Sequence, residues 1–259
     1  MSEELYEHPE YYDIAFSWSL DAEIEFFGRV FREHVPFEVR RVLEPCCGTG
    51  RFLLALPRHG YSVTGYDVNL GMVEYARRRV EEHGDPAMAR ADVGDMRTAC
   101  YEREYDAALN SINSLGYLHS DEEIVRHFVN TGRSLRPGGA YIVHVSCAWE
   151  GEPDLGHNTW EMERDGIRVR TTWTIEREDR ATKLSHQLCS MEIDDHGRRV
   201  AIVDRHVLRL WFYDDLRDLV ERSGALTLEA VYSEDFRRLP LDTKITGEMG
   251  NLYYILTAV

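Results

Sequence analysis

Residues 42–52 read Val-Leu-Glu-Pro-Cys-Cys-Gly-Thr-Gly-Arg-Phe, and their order decides the fold. An apolar run ends in a carboxylate, Glu44. A turn of small residues follows, and then a helix opens. That is the strand–loop–helix junction at which α/β proteins hold nucleotide-like ligands. The dinucleotide fingerprint Gly-x-Gly-x-x-Gly seats a pyrophosphate on the helix N-terminus. Here Gly48 and Gly50 are present, but Leu53 stands at the third position. Glu44 puts negative charge where a pyrophosphate would lie, so the expected ligand carries positive charge.

Working outward, Ile24, Phe26, Phe27, Val30 and Phe31 recur at helical spacing, which predicts an amphipathic helix over about 20–34. Strand one is Arg41 to Glu44, and its following helix closes at Pro57 and Gly60. Ser62 to Tyr66 is a second strand ending at Asp67. A helix with Met72, Val73, Ala76 and Val80 on one face comes next, and Gly84 stops it. A short strand around Met88 leads into Asp92-Val93-Gly94-Asp95-Met96. Tyr105 to Asn110 is a strand with a buried Ala-Ala-Leu run. Ser120 and Glu123 form a capping box, and Pro137-Gly138-Gly139 turns the chain into the strand Ala140 to Val145. This alternation predicts an α/β, Rossmann-like, mostly parallel sheet with helices on both faces.

After about residue 150 the pattern becomes that of half-exposed strands: Trp160–Glu163, Arg168–Glu176, Lys183–Ile193 and Arg199–Leu210. Asp165-Gly166 and His196-Gly197 supply turns, so an inserted antiparallel β region is expected. Asp214–Ser223 returns to helix, and Leu226–Tyr232 and Leu252–Ala258 to strand. The expected organisation is an N-terminal helical cap over 1–40, a cofactor-binding core over 41–150, the insert over 151–212, and a closing helix and strands over 213–259.

The chain has 259 residues, 43% hydrophobic and 29% charged, enough for one substantial core. Its net charge of −16 lacks the basic footprint that neutralises phosphates, so no nucleic-acid partner is expected. Arg77-Arg78-Arg79 is the one basic run and reads first as a solvated helix face. Five cysteines with no Cys-x-x-Cys pair argue against a disulfide framework or a zinc site. The acidic first residues show no signal-peptide pattern, and no apolar run approaches a membrane span. A cytoplasmic protein with no metal and no membrane contact is expected.

Four features fall at the carboxyl ends of successive strands, where such sheets bind ligands. Glu44 and the loop Cys46–Gly50 follow strand one. Asp67 ends strand two, placed to take two ribose hydroxyls. Asp95-Met96 follows strand three and suits an exocyclic amine and one purine face; Asp92 is a rival to Asp95. Asn110-Ser111 ends strand four, beside the space the first loop leaves open.

On these residues the chain resembles a class I S-adenosylmethionine-dependent methyltransferase. The matching stretches are Val42–Arg51, Val63–Arg77, Gly94–Arg97, Tyr105–Leu118 and Leu135–Val143. Glu10-Tyr11-Tyr12-Asp13 resembles the Tyr-Asp element of the small-molecule branch, and the region after 150 resembles the antiparallel insert of sugar and glycine-type N-methyltransferases. The resemblance implies Glu44 near the methionine amino group and Cys46, Gly48 and Gly50 lining the cofactor. It places Asp67 at the ribose and Asp95 with Met96 at adenine, with Val68 and Met72 also among the cofactor-binding residues. Asn110 and Ser111 complete the set. Cys46 stands where the family usually has glycine, and a non-glycine residue there is expected to keep negative φ.

The implied reaction moves a methyl group to nitrogen or oxygen of a small-molecule acceptor, by in-line displacement that proximity chiefly promotes. Tyr12 is the first candidate near the methyl group and His119 a candidate base. Tyr11, Asn113 and Tyr117 are candidate acceptor contacts. Each has a plainer reading: Tyr12 as a packing aromatic, His119 as a surface residue before a helix cap, His144 as a satisfied core histidine. Trp18, Trp160, Trp173 and Trp211 either roof the acceptor or fill the core. Alternating charges on the insert solvate a face or pair two subunits as a homodimer through a sheet edge. The rival functions are a nicotinamide-dependent oxidoreductase, disfavoured by Glu44 and the missing glycine, and a non-catalytic cofactor-binding scaffold.

Overall fold

A computed structural model describes residues 4–148, 155–244, 246 and 250–259. A 3-10 turn at Glu4–Glu7 precedes α1 (Pro9–Ala15) and α2 (Asp21–His34). Then come β1 (Arg41–Pro45), α3 (Arg51–Ala55), β2 (Ser62–Asp67), α4 (Leu70–His83), β3 (Ala89–Val93), β4 (Tyr105–Asn110), α5 (Asp121–Ser134) and β5 (Leu135–Ser146). Four long strands follow: β6 (His157–Arg164), β7 (Ile167–Asp179), β8 (Leu184–Asp195) and β9 (Arg198–Arg209). The chain closes with α6 (Tyr213–Ser223), β10 (Leu226–Ser233), β11 (Arg238–Leu239) and β12 (Asn251–Ala258).

The large sheet runs β11-β10-β12-β5-β4-β1-β2-β3. From β3 to β5 the pairings are parallel, and β12 enters antiparallel to both β5 and β10. β4 is buried at every position, as a strand covered on both faces must be. On one face Leu43, Tyr66, Phe128, Tyr141, Trp211 and Leu219 pack beneath α5 and α6. On the other, Phe27, Phe31, Phe52 and Val63 pack beneath α2 and α3. α5 starts with the capping box expected from Ser120 and Glu123. The cap of α4 is Asn69, whose Oδ1 accepts from Met72 N at 3.0 Å, which leaves Asp67 free of that duty.

The second sheet is antiparallel, in the order β6-β7-β8-β9. Two of its three hairpin turns, Asp165-Gly166 and His196-Gly197, hold both residues at positive φ, the twist that tight hairpins require. The inner face of this sheet (Val169, Cys189, Met191, Ile193, Ile202) packs on Leu5, Tyr11, Ile14, Ala15 and Phe16. A seven-residue helix such as α1 is marginal alone. Burying each large apolar side chain contributes about 2 kcal/mol, and this clamps the N-terminal segment between insert and core. The expected boundary at residues 150 and 151 lies outside the described residues. β11 had no sequence signal, being two residues long.

Candidate cofactor and acceptor site

The loops after β1, β2, β3 and β4 converge at the carboxyl ends of the parallel strands. Glu44 is 4% exposed, and its Oε2 has no hydrogen-bond partner among the described residues. Burial pushes its carboxyl well above the usual range, an effect that Arg51 opposes and Asp67 reinforces. Thr49 Oγ1, five residues on, is likewise buried and unpartnered among the described residues. Buried polar atoms are almost always paired, so two orphans at one loop mark a place for a ligand's donors.

Arg51 was not singled out from the sequence. Its guanidinium lies 4.6 Å from the centre of the Trp18 ring and donates to the Trp18 carbonyl at 3.3 Å. Burial lowers its pKa, while Glu23, Tyr12 and Glu44 oppose the shift. The site therefore holds one acidic and one guanidinium side chain that feel each other's charge, which matches an amino-acid zwitterion.

Asp67 holds the second corner. Its Oδ2 accepts from Gly48 N at 3.0 Å and its Oδ1 from Asn69 N at 2.9 Å. Burial raises its pKa, and those backbone donors pull it back. Val68 is a third backbone donor to it, and the carboxylate keeps acceptor capacity for a ribose hydroxyl. Val68, beside it, is 66% exposed, a bare apolar surface at the cleft rim. Met72, in the first turn of α4, is buried.

At the third corner, Gly94 N donates to Asp67 O at 2.9 Å, which draws the loop after β3 against the ribose-side aspartate. Asp95 accepts from Arg97 Nη1 at 2.9 Å, and Arg97 Nε donates to Glu123 at 2.8 Å. Met96 is buried against Tyr66. Asp92 pairs with Arg90 at 2.9 Å.

The loop after β1 departs from expectation. Cys46 has φ 57°, in the left-handed region, not the negative φ expected of a non-glycine residue. Gly48 and Gly50 follow with φ 52° and 78°. The reason lies in packing. Cys47 N donates to Tyr66 O at 3.0 Å, and the Cys47 side chain fits against Gly65, where an added Cβ would come within 2.5 Å. Turning Cys47 inward forces Cys46 into the glycine-like conformation, at about 1–2 kcal/mol of strain.

The end of β4 is a brace. Asn110 is buried, donating to Pro45 O at 3.1 Å and accepting from Leu115 N at 3.2 Å. Ser111 caps the next turn through its carbonyl, which accepts from Ser114 Oγ at 3.0 Å. Ile112 and Asn113 both have positive φ, 54° and 55°. Such a value is rare for a β-branched residue and marks a strained loop. His144 Nδ1 accepts from Ile112 N at 3.2 Å, and its ring stacks on Tyr253 with centres 4.3 Å apart. Its Nε2 is buried without a partner among the described residues, so this histidine is only half satisfied, contrary to the sequence reading. Burial lowers its pKa to about 4.

The N-terminal tyrosines separate. Tyr12 lies over the glycine loop, where a Cβ on Gly48 would come 3.9 Å from Tyr12 Cε1. Its ring stacks on Phe16, and burial raises its hydroxyl pKa strongly. Tyr11 faces the insert, its hydroxyl donating to Asp195 at 3.0 Å and accepting from Arg198 at 2.7 Å. Asn113 Oδ1 accepts from Ser146 N at 3.3 Å. His119 Nε2 sits 2.8 Å from the carbonyl of Val207, which fixes the proton on that nitrogen. Tyr117 bonds to Tyr6, a residue not singled out from the sequence. Of the tryptophans, Trp211 is fully buried, Trp18 is partly exposed, and Trp160 donates to Ala15 O at 2.7 Å.

Residues 42–139 match the family model described as a methyltransferase domain, and the strand order, the acidic strand ends and the glycine loop agree with that match. Over 209 residues the chain is 25% identical to the dTDP-3-amino-3,4,6-trideoxy-alpha-D-glucopyranose N,N-dimethyltransferase of Streptomyces venezuelae, a span covering 79% of this chain and 84% of that one. Among solved structures, Streptomyces venezuelae DesVI superposes with a TM-score of 0.77 at 21% identity, covering 95% of this chain and 97% of that one. The S-adenosylmethionine-bound amino pentose methyltransferase CalS10 from Micromonospora echinaspora gives 0.73 at 18% identity, over 96% of each chain. These structural likenesses carry the fold, and the cofactor fits the donors and acceptors described above.

Proposed function

We propose that this enzyme methylates the amine nitrogen of a small molecule, of the amino-sugar kind. The observation that carries the reading is Glu44, a buried acid whose Oε2 has no partner among the described residues and which feels the charge of Arg51, in a chain whose relative is named for an amino-sugar acceptor. Bound S-adenosylmethionine supplies a methyl group on a cationic sulfur and leaves as a neutral thioether. In this reading Glu44 holds the amino group and Arg51 the carboxylate of its amino-acid tail. Asp67 holds the ribose hydroxyls, while Val68, Asp95 and Met96 frame the adenine. Tyr12 closes over Gly48 and excludes water, and Asn110 with Ser111 fixes the floor of the acceptor side. His119 is tied to the insert through its Nε2 bond to Val207, which leaves Nδ1 as the nitrogen for the candidate base role.

Residues 41–150 form the cofactor unit of this reading, and the insert, 151–212, forms the acceptor wall. The net charge of −16 favours a small acceptor over a nucleic acid. Five unpaired cysteines suit a reducing cytoplasm. β6 is an edge strand with a largely exposed face, which suits pairing of two copies. The test is transfer of radiolabelled methyl from S-adenosylmethionine to a panel of amino sugars, each beside its hydroxyl analogue. Label on the amines alone is expected; label on the hydroxyl analogues alone refutes the nitrogen assignment.

A further inference from the structure

Under the insert lies a buried string of polar groups that the cofactor site does not use. Tyr6 and Tyr117 hydroxyls are 2.5 Å apart. The Tyr117 hydroxyl is 3.1 Å from His206 Nδ1. His206 Nε2 faces Asp204 Oδ2 at 3.6 Å. His206 is 5% and Asp204 1% exposed. Asp204 Oδ2 also accepts from Leu5 N at 3.1 Å, while Asp204 Oδ1 and His206 Nε2 lack hydrogen-bond partners among the described residues. Trp173 stacks on the imidazole, with ring centres 5.0 Å apart.

The string has a direction. An anion beside Nε2 favours the proton there, so Nδ1 accepts from Tyr117, and Tyr117 in turn accepts from Tyr6. Tyr6 is the end nearest the cofactor loop: its ring centre is 5.7 Å from that of Tyr12, which lies over Gly48. Burial lowers the His206 pKa, against the pull of Asp204, while Tyr117 and Trp173 hold the ring in place. The groups facing it are Asp204 on its own strand, Tyr6 and Tyr117; on β8, Cys189 lies opposite Asp204, and burial pushes its thiol up to about 12.

We propose that Tyr6, Tyr117, His206 and Asp204 form a proton relay that drains the methyl acceptor during turnover. The inference rests on the amine-acceptor reading. After the nitrogen–carbon bond forms, the acceptor nitrogen carries one proton too many. That proton passes to Tyr6 oxygen, the Tyr6 proton to Tyr117 oxygen, and the Tyr117 proton to His206 Nδ1. The resulting imidazolium is held by Asp204, and the 3.6 Å gap shortens as the charge appears. Release to solvent resets the string. Only O–H and N–H bonds change, and no co-reactant is needed. Tyr117, His206 and Asp204 act through Tyr6 and are positioning residues.

The test compares wild type with Tyr117→Phe, His206→Gln and Asp204→Asn in the full chain. The acceptor probe is dTDP-3-amino-3,4,6-trideoxy-alpha-D-glucopyranose, with S-adenosylmethionine saturating. The ratio of wild-type to variant kcat cancels the acceptor's own titration. It is expected at about 100 for Tyr117→Phe and His206→Gln at pH 8, collapsing toward one as His206 protonates at low pH. Asp204→Asn removes the anion that favours imidazolium, so the inflection moves to lower pH. A ratio independent of pH marks a purely structural role and overturns the relay. Nitrogen-15 spectra of His206 with S-adenosylhomocysteine bound supply a readout without acceptor. They should show the proton on Nε2 and an Nδ1 shift on Tyr117→Phe; a proton on Nδ1, or no response, also overturns it. A wild type that binds cofactor yet methylates no amine refutes the acceptor reading instead, and the spectra still decide the string.

Discussion

Glu44→Gln separates a residue kept for a ligand from one kept for the fold. The substitution preserves shape and removes the charge. Glu44 is already desolvated before any ligand arrives, and its Oε2 has no partner among the described residues. A cationic amino group entering there gains a charge-assisted hydrogen bond, net about 2–3 kcal/mol, so glutamine should raise the Kd for S-adenosylhomocysteine about 30- to 150-fold. Stability should move the other way. The fold raises the Glu44 pKa, so it favours the protonated carboxyl. The stability tied to that group is therefore complete at low pH and is lost as pH rises through the folded pKa. The variant has no such loss, so its Tm advantage over the wild type should grow with pH. Titration calorimetry and thermal melts across pH 5–9, both on ligand-free protein, read the two effects. A Kd within twofold of wild type, or a Tm difference that does not change with pH, refutes the reasoning.

Asp67→Ala removes two acceptors from the ribose and orphans the amides of Gly48 and Asn69; cofactor Kd should rise by at least about 100-fold in the same calorimetric assay. Arg51→Met should weaken S-adenosylhomocysteine about tenfold and leave adenosine unaffected, since adenosine lacks the carboxylate; equal losses for both would place Arg51 elsewhere. At Cys46, valine puts a β-branched side chain at φ 57° and should cost about 2 kcal/mol, whereas glycine trades strain against lost packing and should leave Tm nearly unchanged. Tyr12→Phe should keep cofactor affinity and most of kcat, because burial raises its hydroxyl pKa and, unlike Tyr6, no hydrogen-bonded partner among the described residues takes its proton onward.

Much of this was legible because parallel strands and their loops write themselves locally. Val42 to Gly50 announces strand, acidic end and tight turn within nine residues, and Asp67 follows at the next strand end. Ser120 and Glu123 fix a helix start by chemistry alone. The backbone at Cys46 was not legible, because its positive φ is imposed by Cys47 turning into the space at Gly65. His206 and Asp204 read only as alternating residues of an exposed-looking strand; what buries them is the first few residues of the chain, Leu5 and Tyr6, some 200 positions away. Arg51 was hidden for a similar reason: its neighbour Trp18 belongs to a segment with no periodic signal.

The central claim is that three strand-end acids and a glycine loop make one adenosyl-amino-acid site. A crystal structure with S-adenosylhomocysteine tests it most directly. The account predicts the amino nitrogen within hydrogen-bond distance of Glu44, both ribose hydroxyls on Asp67, and adenine between Val68 and the Asp95-Met96 turn. An adenosyl group bound with its ribose away from Asp67, or an amino group turned from Glu44, would contradict it.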